Sequence, residues 1–92
     1  MNFPLYNLEF KQGAEDWIVA RGEIRNDTSK EYHEIIFRLV LFDKTRTIGF
    51  GMIKLTELRR GSTRYFEILI DGVSYRMIPN IVRWELVMES GR

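Results

Sequence analysis

The chain has 92 residues, with 14 Lys+Arg against 13 Asp+Glu, 45% hydrophobic and 29% charged residues. That length fits one domain spanning residues 1–92, and the balance matches a folded globular chain, neither disordered nor membrane-spanning. A formal charge of +1 gives no whole-chain attraction to nucleic acid or anionic lipid, and the absence of Cys removes disulfides, thiolate metal sites and thiol nucleophiles.

The patterning is that of strands. From Leu5 to Lys11, alternation sets Tyr6, Leu8 and Phe10 on one face and Asn7, Glu9 and Lys11 on the other. Gly13-Ala14-Glu15-Asp16 is a polar break, after which Ile18, Ala20, Gly22 and Ile24 alternate with Val19, Arg21, Glu23 and Arg25. The turn formers Asn26 to Lys30 close that strand by bonding their own backbone. Ile35 to Asp43 is the most apolar strand candidate, with Ile35, Phe37, Leu39 and Leu41 on one face and Ile36, Arg38, Val40 and Phe42 on the other. Its β-branched and aromatic content favours strand over helix.

Thr47–Leu55 follows, where Gly49 and Gly51 thin one face and suggest a bulge or a close neighbour. Leu55 to Arg60 has room for one helical turn ended by Gly61, but the segment is too short to hold a helix alone. Thr63–Ile70 points Phe66, Ile68 and Ile70 inward. Asp71-Gly72 is a hairpin signal, with Val73–Ile78 as its return arm, stopped by Pro79-Asn80. In Ile81–Glu89, Val82, Trp84, Leu86 and Met88 share a face, and Ser90-Gly91-Arg92 reads as a frayed end. Six to seven short strands without an ordinary helix predict an all-β fold, an antiparallel sandwich or barrel.

Leu39-Val40-Leu41-Phe42-Asp43 resembles the signature of the FxLYD domains, in which an aromatic, any residue, Leu, Tyr and Asp close a central strand. Gly22-Glu23-Ile24-Arg25-Asn26 matches the upstream Gly-x-Val-x-Asn of that family. Leu58-Arg59-Arg60-Gly61 and Phe66 match its downstream Leu-x-Pro-Gly and Phe, so the likeness covers residues 17–70. Leu39, Phe42 and Arg60 depart from the family's aromatic, Tyr and Pro, and Phe42 lacks the hydroxyl. The resemblance implies an immunoglobulin-like antiparallel β-sandwich, usual in prokaryotic proteins at or outside the cell envelope, with no catalytic set to transfer. Physically, Gly22 suits a strand facing an aromatic, and Asn26 and Asp43 suit strand ends where short polar side chains satisfy backbone donors.

The chemistry-bearing residues are sparse. His33, the lone imidazole, lies in Glu31-Tyr32-His33-Glu34, where a solvated residue is the ordinary outcome. The N-terminal carboxylates lack the spacing of a calcium loop, and Lys30 sits among the oxygens of Asp27-Thr28-Ser29. Gly49-Phe50-Gly51 lacks the third glycine of a phosphate loop. No catalytic residue, cofactor or metal set is expected, and no small-molecule substrate is evident.

Residues 1–34 sum to −3 and residues 35–92 to +4, and ten of the bases are Arg. Arg59, Arg60 and Arg64 with Tyr65 form the alternative candidate, a patch for single-stranded nucleic acid, since Arg neutralises phosphate and an aromatic stacks on bases. The leading candidate is the second face of the third strand, Ile36, Arg38, Val40 and Phe42. In a two-layer fold that face should read polar, and it does not. Either the Phe3–Tyr6 segment covers it, or it stands open as a contact patch for a protein partner or a second copy. Met1 to Tyr6 has no basic, apolar leader pattern, so the chain as written reads as cytoplasmic, or as an envelope or secreted module if it is part of a longer protein.

Overall fold

The computed structural model describes residues 2–92, so Met1 lies outside the described residues. The strands are β1 (Leu5–Gln12), β2 (Trp17–Arg25), β3 (Tyr32–Phe42), β4 (Thr47–Leu58), β5 (Thr63–Ser74) and β6 (Arg83–Gly91). The fold is all-β with six strands, the lower of the two expected counts. They form two three-stranded antiparallel sheets ordered β1-β2-β5 and β4-β3-β6.

The inner faces follow the period of two. Ile18, Ala20 and Ile24 of β2 and Ile35, Phe37, Leu39 and Leu41 of β3 are buried in one core with Ile53, Leu58, Phe66 and Ile70. Phe3 joins them edge-on to Phe37, with ring centroids 5.0 Å apart. Gly22 is paired with Phe66, whose ring would lie 3.3 Å from an added Cβ, so the missing side chain makes space for the aromatic. Gly51 admits Ile68 and Ile70 from the facing sheet, at 2.7 and 3.1 Å from where a Cβ would stand. The sheets approach closely here because β4 presents no side chain.

Several local expectations are corrected. In β1 the register slips between Tyr6 and Glu9, where Asn7 has φ +55°. This bulge reverses the alternation, so Leu5, Leu8 and Phe10 lean on the core while Tyr6 points to solvent. Leu55–Leu58 stays in β4, and the chain turns at Arg60-Gly61, with Gly61 at φ +78°. Asp71-Gly72 is not a hairpin. β5 runs straight through it, and Gly72 at φ +78° makes a bulge opposite β2, whose Ile18 pairs with Ile70 and Trp17 with Ser74. Glycine in the left-handed region serves a bulge as well as a turn. The expected return arm is instead a 3-10 helix, Tyr75–Asn80, whose start is capped by the Ser74 hydroxyl accepting from the Arg76 amide at 3.2 Å. The Ser90-Gly91-Arg92 segment is held, because Arg92 and Glu34 exchange backbone hydrogen bonds of 2.9 and 3.1 Å.

Candidate functional site

β3 is the central strand of its sheet, so its outer face is flanked on both sides. Ile36 lies between Lys54 and Ser90, Arg38 between Met52 and Val87, and Val40 between Phe50 and Glu85, while Phe42 is paired with Thr47 and Arg83. The four candidate residues therefore share one surface, each half-buried by its neighbours. Phe50 and Met52 enlarge it and are 51% and 46% exposed. Phe3 is committed to the core beside Tyr32 and Phe37, on the other side of β3, and Tyr6 belongs to the other sheet. The Phe3–Tyr6 segment thus leaves this face uncovered.

The charges on the face are paired within the chain. Lys54 Nζ lies 3.2 Å from Glu34, and Arg83 Nη1 donates to Glu85 at 2.8 Å while its guanidinium stacks 3.9 Å from the Phe42 ring centroid. Arg38 Nε lies 2.8 Å from Glu89, but its N–H is not directed at the oxygen. The contact is an ion pair rather than a hydrogen bond, and the guanidinium also leans toward the Phe50 ring, 5.9 Å from its centroid. Glu89 reaches Arg38 because β6 bulges where Ile36 pairs with Ser90 and Phe37 with Met88.

The outer face of the other sheet is different in kind. Arg21 of β2 is flanked by Glu9 and Glu67, with its ion pair to Glu9 at 2.8 Å, and Lys11 reaches Glu67 at 3.7 Å. Glu23 stands between Tyr6 and Tyr65, and Asn7 donates to it at 2.9 Å. The surface is laced with charge, and its exposed Tyr6, Tyr65 and Leu69 are spaced apart by Glu23 and Glu67.

The Arg/Tyr patch does not gather. Arg64 and Tyr65 are consecutive in β5 and point to opposite faces. Arg64 donates to the backbone carbonyls of Thr56 and Glu57, and the Tyr65 hydroxyl donates to Glu67 on the laced face. Arg59 and Arg60 stay exposed at the turn.

His33 Nδ1 lies 3.3 Å from Glu57, not from Glu31 or Glu34, in a recess of about 140 Å³ that Tyr32 and Arg59 also line. Both partners are solvated. Among the described residues, no three His, Asp or Glu side chains converge as a metal-binding group would require.

Hollows of about 420 and 430 Å³ flank the β3–β4 turn, around Asp43, Lys44, Thr45 and Val82. Asp43 organises this turn. Its carboxylate accepts from the Thr45 and Arg46 amides, both at 2.8 Å, and those bonds hold its pKa below the ordinary value. A carboxylate whose pKa is lower folded than unfolded stabilises the fold above its unfolded pKa, and that contribution is lost as pH falls through the folded value. Urea titrations should therefore show wild type losing stability below about pH 4 more steeply than Asp43→Asn, which lacks the charge. Equal acid slopes would remove Asp43 from the account.

The sequence reading missed Phe50, Met52, Val87 and Glu89. Phe50, Met52 and Lys54 alternate with Gly49, Gly51 and Ile53, so the period of two that marked the glycine face also marked theirs. Compared with protein-family models, curated proteins and solved structures, the chain matches none.

Proposed function

We propose that this chain is a non-enzymatic protein-contact module, an immunoglobulin-like β-sandwich of the FxLYD kind, acting through the outer face of β4-β3-β6. One observation carries the reading. The outer face of β4-β3-β6 sets Ile36, Val40 and Phe42 beside exposed Phe50 and Met52 among its three ion pairs, whereas on the other outer face the exposed Tyr6 and Tyr65 stand either side of Glu23 and Glu67 separates Tyr65 from Leu69. An open apolar face is costly to leave in water and is the usual mark of a contact site. The family resemblance is supported by the roles of its positions. Gly22 makes room for Phe66, Asn26 is buried and fully bonded, and Asp43 closes β3 by capping the turn after it. All of these are fold-building roles, as expected of a family without catalytic residues.

The test is a photo-crosslinking residue at Phe50, with Leu69 on the laced face as control, in the cells that make the protein. A discrete protein adduct is expected from position 50 alone. Excess unlabelled wild type should compete it away, whereas Met52→Glu should not. No adduct at 50, or equal adducts from both faces, overturns the reading.

A further inference from the structure

We infer that the occupant of this face is a second copy of the same chain, packed face to face about a two-fold axis parallel to β3; the inference rests on the contact reading above. The distribution of charge across the face points to it. The β4 side carries Lys54, and the β6 side carries Glu85 and Glu89 against the single Arg83. Glu34 and Arg38 occupy the central strand. The face therefore holds three cations and three carboxylates, net zero, with its two flanks opposite in sign. A two-fold axis along β3 lays the β4 flank of one copy over the β6 flank of the other. Lys54 then meets the acidic flank, and the exposed rings and thioethers of Phe50 and Met52 meet the flank that carries Val87. The other in-plane axis, across the strands, sets each flank on its own like, with the cations of β4 facing each other. An isologous interface needs self-complementary flanks, and these supply them for one axis only; on that axis Arg38 and Glu34 face their own copies, with their charges held by Glu89 and Lys54.

The ion pairs work in the same direction. All six charged groups on the face have partners in their own chain, at 2.8, 2.8 and 3.2 Å. Covering them strands no unpaired charge, and a second copy of the same face, whose charges are paired in the same way, brings none.

The size sets the strength. Three strands about 4.8 Å apart, and the nine positions from Glu34 to Phe42 at about 3.3 Å each, give a face of roughly 30 by 15 Å. Side-chain relief raises the area, and two such faces together bury on the order of 1,000 Å², the lower limit for a specific interface. The pairing is thus reversible and concentration-dependent.

Sedimentation equilibrium over a concentration series tests this. Wild type should pass from one to two chain masses as concentration rises. Met52→Glu should remain at one mass with unchanged circular dichroism, while Leu69→Glu, on the laced face, should still pair. The chain has no native Cys, so the axis can be read directly. Mixing Met52→Cys and Val87→Cys chains with a short bis-maleimide should give more cross-linked dimer than either chain alone. Wild type that stays at one mass throughout overturns the inference. If position 50 still captures a different protein, the contact reading survives that failure; if it captures nothing, both fall. More cross-linking of Met52→Cys alone than of the mixture overturns the axis.

Discussion

Replacing Phe37 by alanine is expected to cost about 3–5 kcal/mol, the range for deleting a buried aromatic ring. Phe37 is 1% exposed at the middle of β3, with Phe3 edge-on to it and Ile53 paired beside it. The neighbours belong to two strands and to the segment before β1, and sheet hydrogen bonding limits how far β3 and β4 can close on the void. Domains of this size are stable by only about 5–15 kcal/mol. The midpoint of thermal unfolding should therefore fall by at least about 12 °C, at roughly 4–8 °C per kcal/mol. Thermal unfolding followed by Trp fluorescence measures the midpoint, and urea unfolding the free energy. A loss below about 1 kcal/mol would mean that the ring is not in a packed core.

Asn26→Ala should cost about 2–4 kcal/mol for a different reason, the stranding of buried polar groups. The side chain is fully buried and makes four hydrogen bonds. Its amide donates to the carbonyls of Lys30 (2.8 Å) and Leu58 (3.2 Å), and its oxygen accepts from the Thr28 amide (3.0 Å) and hydroxyl (2.6 Å). The backbone adds Asn26 N–H to the Ser62 carbonyl at 3.0 Å and Gly61 N–H to the Asn26 carbonyl at 2.7 Å. Asn26 thus joins the end of β2 to the end of β4 and to the turn that follows it. Asn26→Asp separates the roles. A carboxylate keeps the acceptor toward Thr28 but offers no donor to the two carbonyls, so at neutral pH it should destabilise at least as much as alanine. An aspartate variant as stable as wild type would show that the donated bonds contribute nothing.

The sequence made the inner stripes legible because a strand buried on one side must alternate. Ile18, Ala20 and Ile24, and Ile35 through Leu41, read correctly for that reason alone. Asn26 and Asp43 were legible as strand-end bonding residues, since short polar side chains reach their own turns. The errors fall where one extra residue shifts the alternation. Asn7 turned Tyr6 outward, while Met88 keeps step with Leu86 and Trp84, opposite Phe37, because the β6 bulge lies beyond it. Gly72 shows the same ambiguity, since its left-handed backbone suits a bulge as well as a hairpin and only the distant partner strand decides between them. The site was half legible for a related reason. The apolar second face of β3 is a local pattern, but its flanks depend on which strands lie beside β3, and β6 lies about forty positions further along the chain.

That distant pairing has a kinetic consequence. β3 and β4 close as a hairpin across a short loop, but β6 reaches β3 only across the intervening β4 and β5, and β5 belongs to the other sheet. Non-local pairings of this kind delay folding, and topologies dominated by them reach the native state in milliseconds to seconds. During synthesis the β3 edge that receives β6 therefore stays unpaired until β6 has been made, and in that interval it is open to mispairing.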